Sequence, residues 1–110
     1  MSKSKAEELF YETWKANTSL SIEREVAFAK SIGRRWRFDF ALSDYKIGIE
    51  IQGAGFGHTT MKGTSKDYEK NNAAIFLGWK VLQYPAKKVK DAPQYVVDEI
   101  LDWLSELGIE

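Results

Sequence analysis

The 110-residue chain has the length of one ordinary domain, and its composition, 44% hydrophobic and 29% charged, is typical of a folded protein. It contains no cysteine, which excludes disulfides, thiolate zinc sites, iron–sulfur clusters and cysteine nucleophiles. No apolar run approaches the roughly 18 residues of a membrane span, and no hydrophobic segment follows the polar N-terminus. We therefore expect a single domain over residues 1–110, cytoplasmic and without a membrane partner.

Charge is balanced overall but unevenly distributed. There are 16 basic and 16 acidic residues, yet residues 91–110 hold six acids and no Lys or Arg, so the 16 cations and ten acids of residues 1–90 give that part +6. Two basic clusters stand out, and their members are Lys30, Arg34, Arg35 and Arg37, and then Lys87, Lys88 and Lys90. Each cluster is consistent either with phosphate contacts or with an ordinary solvated surface.

The first two elements are a helix and a short strand. Ser4 can cap a helix in which Ala6, Phe10 and Trp14 recur at four-residue spacing, and this helix should end near Asn17. After a polar loop, residues 25–29 predict the first strand.

Two alternating segments predict a hairpin over residues 36–42 and 47–52. If Asp44 and Tyr45 form a two-residue turn, the numbers of paired residues sum to 89. Asp39 then faces Glu50, and Gln52 lies on the same face because side chains alternate. The opposite face, with Phe38, Phe40, Ile49 and Ile51, is the predicted core.

The remaining elements complete the order αβββαβα. The glycine-rich stretch from Gly53 to Gly63 predicts a loop, and Ser65 can cap a helix that runs to Leu77 and stops at Gly78. Residues 79–84 predict a strand that Pro85 ends, and Pro93 suits the first turn of a last helix. Its apolar face would comprise Val96, Val97, Ile100, Leu101, Leu104 and Leu107, and all four tryptophans are interpreted as packing residues.

The facing carboxylates of Asp39 and Glu50 should repel each other, so something should compensate for the repulsion. A cation such as Mg²⁺, which binds one or two carboxylates and keeps several waters, is one solution. The other solution is ion pairing with Arg35, Arg37 or Lys80 on a solvent-exposed sheet face.

A wider pattern accompanies this pair of acids. It consists of Asp39-Phe40, Glu50-Ile51-Gln52-Gly53, His58, Asp67-Tyr68-Glu69-Lys70 and Gly78-Trp79-Lys80-Val81-Leu82. The pattern and the element order resemble the PD-(D/E)XK nuclease superfamily, and within it the small bacterial and phage endonucleases related to very-short-patch repair endonucleases. The resemblance covers about residues 6 to 89 and implies an α/β fold with a four-stranded mixed sheet flanked by helices, followed here by a C-terminal helix.

The resemblance implies that Asp39 and Glu50 are metal ligands, together with the carbonyl of Ile51. It also implies an acidic residue on the first helix, for which Glu7 fits best. Glu7 can equally be a solvated glutamate. Glu8 and Glu12 are the alternatives on that helix, and Glu25 on the first strand is a further candidate contributor.

Gln52 stands where the superfamily usually has a lysine, and an amide can orient a water but carries no charge. Lys70 on the next helix can replace the lysine, or it can form an i,i+3 ion pair with Asp67. His58, the sole histidine, can relay protons or contact a phosphate, or it can be a bystander in the loop.

These expectations describe a Mg²⁺-dependent DNA endonuclease, with Mn²⁺ as a substitute, acting in phage or bacterial DNA repair, recombination or processing. Phosphate contacts are assigned to Arg34, Arg35, Arg37, Lys70, Lys87 and Lys88. A homodimer would let two sites cut two strands, with the acidic last helix and Trp103 either at the interface or covering the core. The alternative is a catalytically inactive nuclease-fold module that binds DNA or supports assembly, which the Gln52 substitution favours.

Overall fold

The computed structural model describes residues 4–53 and 61–109, and the side chains of residues 61–67 lie outside the description. Its helices are α1 (Lys5–Asn17), α2 (Met61–Phe76), α3 (Ala86–Asp91) and α4 (Pro93–Glu106). Its strands are β1 (Glu23–Ala27), β2 (Arg37–Leu42), β3 (Ile47–Gln52) and β4 (Lys80–Pro85). Single 3₁₀ turns lie at Lys30–Ile32 and Ser43–Tyr45.

The four strands form one mixed sheet in the order β1-β2-β3-β4. β1, β2 and β3 are successively antiparallel, whereas β4 runs parallel to β3 because α2 carries the chain back across the sheet. The pairs Phe40–Ile49, Ala41–Gly48 and Leu42–Ile47 confirm the predicted register, but the ladder ends there and does not include the predicted pair Asp39–Glu50. The α/β fold with a mixed sheet, flanking helices and a C-terminal helix is thus as predicted.

α1 forms as its sequence indicates. The Ser4 hydroxyl accepts a hydrogen bond from the Glu7 amide at 3.0 Å, which satisfies one of the free N–H groups of the first turn. Ala6, Phe10 and Trp14 are buried, and the Trp14 indole donates to the Leu20 carbonyl at 2.9 Å. The apolar stripe of α1 is therefore fixed on the sheet.

Each face of the sheet has its own core cluster. On one face, α1, α3 and α4 cover a cluster that includes Phe10, Phe40 and Ile49. The second cluster consists of Phe28, Ala29, Phe38, Ala41 and Ala74. The prediction that Phe38 shares a face with Phe40 is wrong, because strict alternation fails at Asp39 and the Phe38 ring stacks on Phe28, with centroids 4.1 Å apart.

Several predicted boundaries need correction. β1 begins and ends two residues earlier than predicted, because its pairing with β2 ends at Ala27 and Arg37. α2 begins at Met61, so Ser65 lies within the helix and does not cap it. The short helix α3 was not predicted, and the element order is αβββαβαα.

Two predicted core residues of the last helix are at the surface. Trp103 is 47% exposed and Leu107 is 55% exposed, because the buried stripe of α4 consists of Val96, Val97, Ile100 and Leu104. The other three tryptophans pack in or against the two cores. Among the described residues, no helix is long and apolar enough to cross a membrane.

Candidate metal site

Asp39 lies at the point where β2 and β3 stop pairing. The recorded ladder between these strands ends at Phe40–Ile49, and beyond it the Asp39 carboxylate accepts a hydrogen bond from the Ile51 amide at 2.8 Å. The carboxylate thus replaces a backbone acceptor and is fixed in orientation. The carbonyl of Ile51, predicted as a metal ligand, belongs to the same residue.

Three carboxylates from three elements converge here. Glu7 of α1, Glu25 of β1 and Asp39 of β2 each offer a ligand oxygen, and these oxygens all lie within 4.8 Å of one another. Glu7 and Asp39 are half-buried, whereas Glu25 is exposed. We call these three residues the carboxylate triad.

The backbone of β1 is irregular at the triad. Glu25 has φ +54°, a left-handed conformation that residues other than glycine rarely adopt. The register of β1 and β2 pairs Arg24 with Phe40 and Val26 with Phe38 but skips Glu25. The irregularity coincides with the place where Glu25 joins the other two carboxylates.

Burial controls the electrostatics of Asp39. Desolvation raises the pKa of its carboxyl above the ordinary value, and the Glu25 carboxylate adds to the rise. The hydrogen bond from Ile51 and the nearby Lys70 ammonium lower the pKa and partly offset that rise. A cation beside Asp39 would therefore favour its charged form.

Glu50 and Lys70 form an ion pair beside the triad. The Lys70 Nζ lies 2.5 Å from Glu50 Oε2, and their side chains are only 27% and 12% exposed. A small cavity of about 20 Å³ has both residues in its wall, together with Gln52, Asn71 and Gln83. Lys70 therefore offsets the predicted repulsion at Glu50.

The donor set of the triad fits a hard divalent cation. Mg²⁺ and Mn²⁺ prefer carboxylate and carbonyl oxygens, and the three acids supply carboxylates at one point on the protein surface. Glu50 is not in this group and instead holds Lys70, whose ammonium is close enough to lower the pKa of Asp39. The arrangement places three carboxylates close to a fixed positive charge.

The other predicted residues are distributed over several surfaces. Arg34, Arg35 and Arg37 are exposed around the β1–β2 connection, and Arg37 approaches Glu25 at 3.7 Å. On α3, Lys87 pairs with Asp91 at 2.6 Å, and Lys88 lies over the Tyr95 ring at 4.3 Å.

The remaining candidates are the other two acids of α1, His58 and Asp67. Glu8 binds Arg24 at 2.7 Å and Glu12 lies 3.9 Å from Lys15, so Glu7 is the α1 acid at the triad. His58 and the side chain of Asp67 lie outside the described residues.

From the sequence, Glu25 was only a secondary candidate and Arg24 was not identified as part of the site. The Arg24 guanidinium binds Glu8 and stacks on the Tyr11 and Phe40 rings, at 4.6 and 5.2 Å from their centroids. It thereby ties β1 to the first turns of α1, next to Glu7 and Glu25. The sequence shows only charges of alternating sign in β1, which do not predict the contacts of Arg24 or the position of Glu25.

Comparison with known proteins adds a structural relative. No protein-family model matches the sequence, and no curated protein matches it. Among solved structures, the fold is similar to the catalytic domain of the homing endonuclease I-Bth0305I, with a TM-score of 0.70. The likeness covers 94% of this chain and 97% of that domain at 17% sequence identity, so the chain shares the fold of a nuclease domain.

Proposed function

We propose that the protein is a metal-dependent endonuclease that hydrolyses phosphodiester bonds in DNA. The observation that carries the proposal is the carboxylate triad beside the Glu50–Lys70 pair. The similarity to an endonuclease catalytic domain supports it, as does the sequence resemblance to PD-(D/E)XK nucleases. A role in phage or bacterial DNA repair, recombination or processing belongs to the same proposal.

Asp39, Glu7 and Glu25 would hold Mg²⁺ or Mn²⁺. When bound, such an ion supplies positive charge at the scissile phosphate and lowers the pKa of a coordinated water. The Ile51 amide holds the Asp39 carboxylate in place, so this ligand needs no reorganisation on binding.

Lys70 takes the role of the lysine that is absent at Gln52. Glu50 holds the ammonium in a half-buried position, where it can donate a hydrogen bond to a phosphate oxygen or polarise a water. Gln52 borders the same cavity and can orient that water through its amide. Glu50 then acts on Lys70 as a positioning residue, in addition to the ligand role that the sequence resemblance implies.

The exposed cations around the β1–β2 connection would contact phosphates of the flanking DNA. Binding should weaken linearly in log–log terms as salt rises, and replacing Arg34 and Arg35 with alanine should reduce that slope. Binding that is independent of salt would contradict this assignment.

The test of the proposed function is cleavage of plasmid and branched DNA in Mg²⁺, Mn²⁺ or EDTA. Wild-type protein should cleave only with a metal, and Asp39→Asn should lose about 10³-fold or more in rate because a fixed ligand is weakened. Asp44→Asn is the matched control, since Asp44 is an exposed acid at the other end of β2 and should leave cleavage unchanged. Equal activity of Asp39→Asn and wild type would contradict the site.

Lys70 and Gln52 can be separated by the size of their effects. Lys70→Met should remove most activity, because of Lys70 and Gln52 only the lysine carries a positive charge to the phosphate or the water. Gln52→Ala should cost about 10²-fold or less, as expected for one neutral hydrogen-bond donor. If the two variants behave in the reverse order, Gln52 handles the water.

A non-catalytic DNA-binding or assembly module is the second candidate. It is favoured by the ammonium of Lys70, which already neutralises Glu50, and by the glutamine at position 52. DNA binding without cleavage in any metal would support it. The homodimer is a further proposal, and sedimentation of wild type and Trp103→Ala would show whether the exposed Trp103 contributes to self-association.

A further inference from the structure

The connection between β1 and β2 presents an isoleucine to solvent. We call residues 30–36 the β1–β2 turn. Ile32 is 43% exposed, whereas Phe28 and Ala29 immediately before the turn are buried in the second core cluster. Neither core cluster of the described residues includes Ile32, so this side chain lies outside both cores.

Cations surround this apolar tip. Every charged residue between Val26 and Phe38 is basic, and all of these residues are exposed, namely Lys30, Arg34, Arg35 and Arg37. Arg34 lies over the ring of Trp36, 4.8 Å from its centroid, which orients its guanidinium at the surface. An apolar tip with a cationic rim is complementary to duplex DNA, in which charged phosphates flank stacked apolar bases.

The turn is held rigidly by its own backbone. The amides of Ile32 and Arg34 both donate to the Ala29 carbonyl, at 3.2 and 3.0 Å, and the Gly33 amide donates to the Lys30 carbonyl at 3.0 Å. Gly33 has φ +76°, which allows this tight reversal without strain. The backbone at Ile32 is therefore restrained, which lowers the entropic cost of ordering the turn on binding.

The turn also lies close to the carboxylate triad. Ala27 and Arg37 form the pair that opens the turn, and Glu25 and Asp39 lie two residues further along their strands. At about 3.3 Å per residue, this separation is about 7 Å. Base pairs repeat about every 3.4 Å along a duplex, so a duplex that lies along the strands with one phosphate at the triad can reach the start of the turn within two or three base pairs.

We propose that Ile32 inserts between neighbouring base pairs of the DNA bound at the triad, while Lys30, Arg34 and Arg35 bind the flanking phosphates. This inference rests on the proposed function, because it takes duplex DNA as the ligand. Insertion requires unstacking, so the protein should prefer sites with a TA or CA/TG step at the contact, which unstack easily. Ile32 is then a residue that determines the choice of site.

The test uses duplexes that carry 2-aminopurine at successive positions, since this base brightens when it unstacks. Binding is followed in an Asp39→Asn background so that the DNA stays intact. The parent protein should raise the fluorescence several-fold at one step, and Ile32→Ala should abolish the rise and weaken binding about tenfold. Ile75→Ala is the matched control, because Ile75 is an isoleucine outside the turn, on α2, and is 60% exposed.

The outcomes separate the two proposals. If DNA is bound and cleaved but Ile32→Ala leaves the fluorescence and affinity of the parent, insertion is overturned and the endonuclease proposal stands. If Ile75→Ala has the same effect as Ile32→Ala, the turn has no special role and insertion is again overturned. If no variant, wild type included, binds DNA under low salt, both proposals are overturned.

Discussion

The carboxylate triad places like charges close together, so neutralising one of them should stabilise the metal-free protein. We predict this for Glu25→Gln. The carboxylate oxygens lie within 4.8 Å of one another, and at that outer limit in water the repulsion of Glu25 by Glu7 and by Asp39 costs about 0.9 kcal/mol each. The attraction of Arg37 at 3.7 Å, about 1.1 kcal/mol, is lost with the charge. The net gain is about 0.7 kcal/mol, which corresponds to a rise in Tm of about 3 °C.

The same substitution should weaken the response to metal. At a Mn²⁺ concentration of about 100 times Kd, the wild-type protein should gain about 2.7 kcal/mol, or about 10 °C in Tm. A tenfold weaker site would gain about half of that. Thermal denaturation of both proteins in EDTA and across a Mn²⁺ titration measures the two effects together.

Glu12→Gln is the control, because Glu12 is an exposed acid on α1 that lies outside the triad. It should change neither the Tm in EDTA nor the Mn²⁺ response. A Glu25→Gln protein that melts earlier than wild type in EDTA would refute the repulsion argument. An unchanged Mn²⁺ response would refute the role of Glu25 as a ligand.

Three further predictions concern stability. Because burial raises the pKa of Asp39, the stability that this carboxyl contributes is fully present below its ordinary pKa and is lost as pH rises and the folded carboxyl ionises. In urea denaturation, the free energy of unfolding of Asp39→Asn should therefore increase relative to that of wild type from pH 3 to 7. The buried Tyr84 hydroxyl donates a hydrogen bond to Glu99 at 2.7 Å, so Tyr84→Phe should lower the free energy of unfolding by about 1.5 kcal/mol at pH 7 in the same assay. An unchanged free energy of unfolding would show that this bond gives no net stabilisation. A Cβ on Gly48 would lie 2.5 Å from the Phe38 ring, so Gly48→Ala should cost about 1–3 kcal/mol, and a wild-type Tm would contradict the packing.

Local patterns were enough to predict most of the fold. The four-residue spacing in α1, its Ser4 cap and the hairpin register depend on neighbours in the sequence, and the structure has all three. Periodicity also places the C-terminal helix, because Pro93 sets its start and its apolar stripe sets its buried face. Such features are local, so the sequence alone determines them.

The predictions from sequence were wrong where the conformation of one element depends on how it pairs with another. Alternation assigned Phe38 to the wrong face, because the irregularity at Glu25 and Asp39 is a property of two paired strands. The pattern of apolar residues also gave no reason for α3, a single short helix after Pro85.

The candidate site divides in the same way. The predicted hairpin pointed to Asp39, Glu50 and Gln52 from the sequence alone, and the resemblance to PD-(D/E)XK nucleases added Glu7. Only the tertiary structure groups Glu7 and Asp39 with Glu25, and only it pairs Lys70 with Glu50 across 20 residues of sequence. The physical reason is that charge complementarity and burial act between side chains in space, and the packing of α1 and α2 on the sheet decides which of them meet.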